Sequence, residues 1–191
     1  GIAFVFATLV ATFIFAPKSK FLIYLLSSIL SFSLLGFVDD YYKRSSDNGD
    51  GIKSLTKLVW QFIIAIVFIV YGTKHNYISS GIPYLNGENI FQKVVENVAL
   101  IFLMVYFVNA FNITDGLDGL AGYVSLPICV LLILVSMILP NNEVITVITI
   151  SISASLLAFL HFNKYPAKYF MGDCGSMALG VTLLMISLSL K

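Results

Sequence analysis

Long apolar runs separated by short polar connections dominate the chain. The runs lie near 1–16, 21–38, 57–72, 94–112, 119–139 and 144–162, with a seventh from about 176 to the end. A helix needs ~20 predominantly apolar residues to cross the core of a bilayer. The pattern therefore predicts an all-α fold, a polytopic bundle of transmembrane helices that forms one integral membrane domain over 1–191.

The first and last runs are short for complete spans. The chain begins with Gly1 inside an apolar run, without an initiator Met or the basic region that would mark a signal peptide. We therefore expect 1–191 to be a fragment, truncated at both ends, that does not catalyse a reaction by itself.

Composition supports a membrane protein and excludes some functions. The chain is 59% hydrophobic and 11% charged, with a net charge of +1 and a mean hydropathy of +0.94, whereas soluble domains have roughly 25% charged residues. The near-neutral charge argues against nucleic acid as a partner. Cys129 and Cys174 form neither a disulfide framework nor a metal-binding spacing, so we expect free thiols.

Charged residues divide unequally between the two sets of connections. Six Lys and Arg lie on 39–57, 113–118 and 161–175, against four on 17–20, 73–93 and 140–143. This bias weakly places the first set in the cytoplasm. The acids of the first set are Asp39, Asp40, Asp47, Asp50, Asp115, Asp118 and Asp173, whereas only Glu88, Glu96 and Glu143 lie on or next to the opposite set. We therefore expect an active face on the cytoplasmic side.

The first cluster of candidate residues lies at the end of the second run. Asp39 and Asp40 are followed by Lys43, and Lys57 lies beyond the next polar stretch. If the helix continues to Lys43, its ammonium lies within reach of Asp39. A solvated helix end is the alternative interpretation of the acid pair.

The second cluster follows the fourth run and contains Asn109, Asn112, Asp115 and Asp118. Steps of three residues drift around a regular helix, so the four side chains cannot all face one way unless the helix breaks. Gly116 and Gly119 suit such a break, because Asp-Gly pairs often mark turns. A capped helix end followed by a turn is the alternative, but it does not require the two asparagines.

The third cluster surrounds Asp173, which lies between Gly172 and Gly175 just before the last run. Backbone N–H groups at the start of a helix form a ready anion site, so this stretch is compatible with phosphate binding. A simple N-cap role for Asp173 is the alternative. Dispersed aspartates with lysines indicate Mg²⁺ and phosphate rather than zinc, since His75 and His161 are the only histidines.

Three stretches together resemble the polyprenyl-phosphate phosphoglycosyl transferases, the glycosyltransferase 4 superfamily. They are 37–43, 109–121 and 162–176, in the family's order, and the resemblance covers nearly the whole chain. The Tyr-Pro-Ala sequence at 165–167 and the stretch 171–180 are most similar to the phospho-N-acetylmuramoyl-pentapeptide transferase branch. The resemblance implies two further parts of the family pattern outside 1–191, which we expect to be a segment before the first run and a C-terminal span with a histidine-rich loop.

The resemblance implies a Mg²⁺-dependent enzyme of peptidoglycan and cell-wall synthesis. It would transfer phospho-MurNAc-pentapeptide from UDP-MurNAc-pentapeptide to undecaprenyl phosphate, releasing UMP and leaving lipid I. The implied catalytic residues are Asp39, Asp40, Asp115 and Lys43. The implied metal ligands are Asp173 and Asp115, and the implied substrate-binding residues are Asn112, Asp118, Lys57 and Asn163. The resemblance leaves two mechanisms open. Either Asp39 takes a proton from the lipid phosphate, or a carboxylate is itself the nucleophile.

The implied setting is the inner (plasma) membrane of a bacterium, with a multi-pass chain and a homodimer as a further expectation. Three alternatives remain. A sister enzyme would transfer GlcNAc-1-phosphate to polyprenyl phosphate for teichoic acid or O-antigen, although the Tyr-Pro-Ala context favours the first activity. A transporter would place its acids near the centres of spans, whereas these lie at span ends. A noncatalytic remnant is the third.

Overall fold

A computed structural model describes residues 1–46, 51–80 and 89–190, which form seven α-helices and no strand. The helices are α1 (Ile2–Phe15), α2 (Lys20–Ser45), α3 (Ser54–Lys74), α4 (Ile90–Thr114), α5 (Leu120–Ile138), α6 (Glu143–Asn163) and α7 (Gly172–Ser189). The predicted all-α fold is confirmed. Asp47, Asp50 and Glu88, counted above among the acids of the two sides, lie outside the described residues.

Six of these helices, α2 to α7, are long and apolar enough to cross a membrane. Helix α1 is apolar but has only 14 residues. Each predicted run corresponds to one helix, because an apolar helix satisfies all its backbone hydrogen bonds internally, as a bilayer requires. The chain is a multi-pass membrane protein.

Two of the helices extend beyond their apolar runs through segments that carry candidate aspartates. Helix α2 continues to Ser45, so Asp39, Asp40 and Lys43 lie in a helix and not in the connection to which 39–57 was assigned. Helix α7 begins at Gly172, about four residues before the predicted start of the last run. Hydropathy missed both extensions because their polar side chains pair with one another at the end of the bundle.

Helix α7 lies at the centre of the bundle. The other six helices surround it in the order α1, α2, α3, α4, α5, α6, and α6 closes the ring against α1. Nearly every residue of α7 is buried. Small residues permit this close packing: a Cβ at Gly180 would lie 3.1 Å from the Val108 Cα of α4.

The polar groups gather at the end of the bundle where α7 begins. Helices α2 and α4 finish there and α3 and α5 start there, which brings the three predicted clusters to one end. The opposite end holds the C-terminus of α7, where the Ser79 N–H donates to the Leu188 carbonyl at 3.0 Å. The fold therefore gives the predicted site a single location.

Candidate active site

Asp173, in the first turn of α7, is the point at which three other helices meet. Its side chain is largely buried and accepts hydrogen bonds from Lys57 of α3 and from Asn112 of α4, the latter at 2.9 Å. Lys43 of α2 lies 3.1 Å from the same Asp173 Oδ2 atom that Lys57 contacts. Asn112 Nδ2 also donates to Ser176 Oγ at 2.8 Å. The alternative of a simple N-cap role therefore does not hold for Asp173, whose carboxylate joins α2, α3 and α4.

Asp39 forms a second carboxylate contact to the same two lysines. Its Oδ2 lies 2.7 Å from Lys43 Nζ and 3.4 Å from Lys57 Nζ, and its Oδ1 accepts from the Ile52 N–H at 2.7 Å. Only 1% of Asp39 is exposed. Buried charges of this kind persist only when they are paired and hydrogen-bonded. The predicted helical contact between Asp39 and Lys43 is present, and the solvated alternative does not hold for Asp39.

Asp40 occupies the backbone anion site at the start of α7. The N–H groups of Asp173 and Cys174 donate to its two carboxylate oxygens at 3.0 and 2.9 Å. The sequence is compatible with phosphate at these N–H groups, but in the structure a carboxylate from α2 accepts their hydrogen bonds. Gly172 is also required here, because it has φ of 67° and a Cβ would lie 2.8 Å from Asp40 Oδ2.

Asp115 follows the last turn of α4, where the predicted break occurs. Helix α4 carries Asn109 and Asn112 and ends at Thr114, and Gly119 has φ of 75° before α5 begins. Burial raises the pKa of the Asp115 carboxyl to about 6; the Gly172 N–H opposes the rise, and the Asp173 and Asp40 charges reinforce it. Asp115 therefore takes up its proton at a higher pH than an ordinary aspartate.

Asp118 and Asn163 connect the two loops that border the site. Asp118 Oδ2 accepts from the Ala167 N–H at 2.9 Å. Asn163 Oδ1 accepts from the Gly119 N–H at 3.1 Å, and its Nδ2 donates to the Tyr169 carbonyl at 2.9 Å. Both side chains hold loop backbone in place, so their predicted contact with substrate stays a prediction.

Two residues near the site were not singled out from the sequence. Ser176 lies inside the third motif, but the sequence alone suggested no role for it. In the structure its hydroxyl oxygen accepts a hydrogen bond from the Asn112 amide. Gln61 is fully buried in α3 and contacts Asn109. A glutamine within an apolar run, four residues after Lys57, was the signal that would have found it.

The donor set is suitable for a hard cation. Among the described residues no three acidic, His or Cys side chains converge on one point. Magnesium is usually held by only one or two carboxylates, with substrate phosphates and waters completing its shell. The carboxylates of Asp173 and Asp115 are two such groups, one in the first turn of α7 and the other just after the end of α4.

Comparisons with known proteins agree on one family. The sequence model described as glycosyl transferase family 4 matches residues 22–191. Three relatives carry the name phospho-N-acetylmuramoyl-pentapeptide-transferase, and each is matched over 100% of this chain. They come from Caldanaerobacter subterraneus subsp. tengcongensis (35% identity, 60% of the relative covered), Clostridium perfringens strain 13 (36%, 60%) and Staphylococcus carnosus strain TM300 (39%, 61%). The chain thus spans about three fifths of the length of these relatives.

Proposed function

The chain belongs to glycosyl transferase family 4, and from this we propose that the full-length protein makes lipid I. It transfers phospho-MurNAc-pentapeptide from UDP-MurNAc-pentapeptide to undecaprenyl phosphate and releases UMP. The main support for this proposal is that α2, α3 and α4 converge on Asp173. This convergence brings paired carboxylates and lysines together at one end of a membrane bundle. The names of the relatives favour this substrate over UDP-GlcNAc.

In the proposed reaction, an oxygen of undecaprenyl phosphate attacks the sugar-linked phosphorus of the nucleotide sugar. A new P–O bond forms there, the bond to the bridging oxygen of UMP breaks, and that oxygen leaves with the electron pair. Bound Mg²⁺ would neutralise the charge that develops on the diphosphate. The protein's task is then to bind two anionic substrates side by side and hold their phosphates in line.

Roles follow from the contacts of each side chain. We assign Asp173 and Asp115 to the metal, because both are acidic groups at the start of α7 and the end of α4. Lys43 and Lys57 supply positive charge for phosphate oxygens, and Asp39 orients both ammonium groups. Asp40 acts by fixing the first turn of α7, and thereby Asp173.

The remaining assignments concern the nucleotide sugar. Asn112 has its amide already directed at Asp173 and Ser176, which suits a residue beside the metal and the diphosphate. Asp118 and Asn163 hold the two loops that border the site, and we assign them to the sugar or nucleotide side. A transporter function is less well supported, since these acids are paired with lysines at an end of the bundle.

The site is assigned to the cytoplasmic face of a bacterial plasma membrane, because nucleotide sugars are cytoplasmic and the basic residues weakly favour that side. Homodimerisation stays a prediction.

A labelling experiment tests this topology. Tyr165 is 84% exposed at the active end, and Glu143 is an exposed residue at the start of α6, at the other end. In the full-length protein, Tyr165→Cys is expected to react with a membrane-impermeant maleimide only after cells are opened, and Glu143→Cys in intact cells. Labelling of both from the same side would contradict the arrangement.

UMP release tests the proposed activity directly. Full-length protein in membranes with undecaprenyl phosphate is expected to release UMP from UDP-MurNAc-pentapeptide, and to stop when EDTA removes Mg²⁺. UDP-GlcNAc serves as the matched substrate control. Turnover with UDP-GlcNAc alone would assign the sister activity, and turnover that persists in EDTA would remove the metal from the proposal.

A further inference from the structure

An amide pair joins α3 to α4 within the membrane-spanning part of the bundle. Asn109 Nδ2 donates to Gln61 Oε1 at 2.6 Å, and Gln61 Nε2 donates back to Asn109 Oδ1 at 3.3 Å. Asn109 Nδ2 also donates to the Val105 carbonyl of its own helix at 2.8 Å. Gln61 is completely buried, so the pair has a defined geometry without competition from water.

The pair lies about one turn from the two groups that reach Asp173 from these helices. Lys57 precedes Gln61 by four residues on α3, and Asn112 follows Asn109 by three residues on α4, so each lies on the same helix face as its neighbour. Lys57 and Asn112 both donate to the Asp173 carboxylate. The amide pair and the two donors thus form successive layers between the same helices.

Helix α3 depends on its neighbours for its position relative to Asp173. In the described part of the chain it packs mainly against α2 and α4, while α7 packs most extensively against α2 and α4. The Lys57 ammonium is carried on a flexible four-carbon stem, so its location follows the rotation and height of α3. A fixed contact one turn from Lys57 limits both the rotation and the height of α3.

We propose that Gln61 and Asn109 are positioning residues for the site: their amide pair sets α3 against α4 so that Lys57 and Asn112 engage Asp173 together. The inference rests on the proposed Mg²⁺-dependent transfer, whose metal site includes Asp173. Loss of the pair lets α3 shift, and Lys57 and Asn112 then no longer hold the Asp173 carboxylate in one orientation. Metal binding weakens because the groups that orient a metal ligand contribute to its affinity, while the bundle stays folded.

The competing explanation is that the pair merely adds stability between two membrane helices, as interhelical hydrogen bonds commonly do. The chain offers a matched control. Thr73 Oγ1 donates to Asn97 Oδ1 at 2.7 Å and joins the same two helices at the opposite end. A purely stabilising role predicts similar consequences for losing either contact, whereas positioning predicts a change at the site only for Gln61 and Asn109.

The experiment uses full-length protein. Gln61→Met removes the amide pair, and Asn97→Leu is the control. Gln61→Asn is compared with the double variant that exchanges the two amides, Gln61→Asn with Asn109→Gln. Two quantities are measured: the Mg²⁺ concentration that gives half-maximal UMP release, and the rise in Tm that Mg²⁺ produces. Gln61→Met is expected to raise the half-activating concentration about tenfold and to lower kcat by roughly tenfold to a hundredfold, as small misplacements in active sites do. Asn97→Leu is expected to lower Tm without changing Mg²⁺ dependence, and the exchanged pair to recover most of what Gln61→Asn loses.

Each outcome is decisive. Wild-type Mg²⁺ dependence in Gln61→Met, or an equal change in Asn97→Leu, overturns the positioning role. If Gln61→Met does not fold, the exchanged pair decides: recovery relative to Gln61→Asn supports the inference, and no recovery overturns it. Wild-type protein that releases no UMP rejects the proposed function instead, and the Mg²⁺-dependent Tm shift then tests the pair independently of turnover.

Discussion

Asp173→Asn is expected to lower transfer by a factor on the order of 10²–10³ while the protein still inserts and folds. Asparagine keeps the size of the side chain and can still accept from Asn112, but it removes the charge that balances Lys43 and Lys57 and that a divalent cation requires. The loss is expected to fall on kcat and on Mg²⁺ affinity together, because in the proposed site one carboxylate would serve both the lysines and the metal.

The measurement is the initial rate of lipid I formation by full-length protein over a range of Mg²⁺ concentrations, with folding followed by thermal stability in detergent. Glu143→Gln is the control, since it removes an exposed acid at the other end of the bundle. Near-normal turnover of Asp173→Asn at saturating Mg²⁺ would show that the metal is bound elsewhere. An equal loss in the control would indicate a nonspecific effect of charge.

Local sequence patterns predict the parts of this site that depend on neighbouring residues. The Asp39–Lys43 pair needs only helical spacing, and the break after Thr114 needs only the drift of three-residue steps and the glycines that follow. The clustering of acids at one end follows from counting connections between apolar runs. The ion pair and the helix break are each encoded within one or two turns of helix.

Contacts between distant helices cannot be predicted in this way. Asp40 binds the backbone of Asp173, 133 residues further along the chain, and nothing in either motif specifies the partner. Helix α7 has the lowest hydropathy of the six spans and is the most buried of them. Because packing between membrane helices depends on small residues and polar contacts and not on apolar content alone, hydropathy ranks the central helix last.

Gly36 marks a close long-range contact between the backbones of α2 and α7. A Cβ at this position would overlap the Asp173 carbonyl and would lie 2.6 Å from the Cys174 nitrogen. These are backbone atoms in the first turn of α7, so no side chain can rotate away to make room. The glycine therefore sets how near Asp39 and Asp40, one turn later on α2, come to the start of α7.

Gly36→Ala is expected to destabilise the full-length protein by about 1–3 kcal/mol, the usual cost of overpacking. The helices must separate, and a shift near 1 Å at the site is expected to lower transfer by about a hundredfold. The measurement pairs the rate of UMP release with Tm in detergent. Unlike Asp173→Asn, this variant keeps every charged group, so a loss of activity beyond the loss of stability reports the spacing of these groups and not their number.

Gly122→Ala provides the matched control for Gly36→Ala. Gly122 lies in the first turn of α5 at the same end of the bundle, but the atom nearest a new Cβ is Leu160 Cδ2 at 2.7 Å, the end of a flexible side chain. Leucine can change rotamer at small cost, so we expect nearly normal activity. If the two variants behaved alike, the backbone approach at Gly36 would not control the site. A large loss confined to Gly36→Ala would show that the spacing of α2 and α7 governs how the carboxylates and lysines act together.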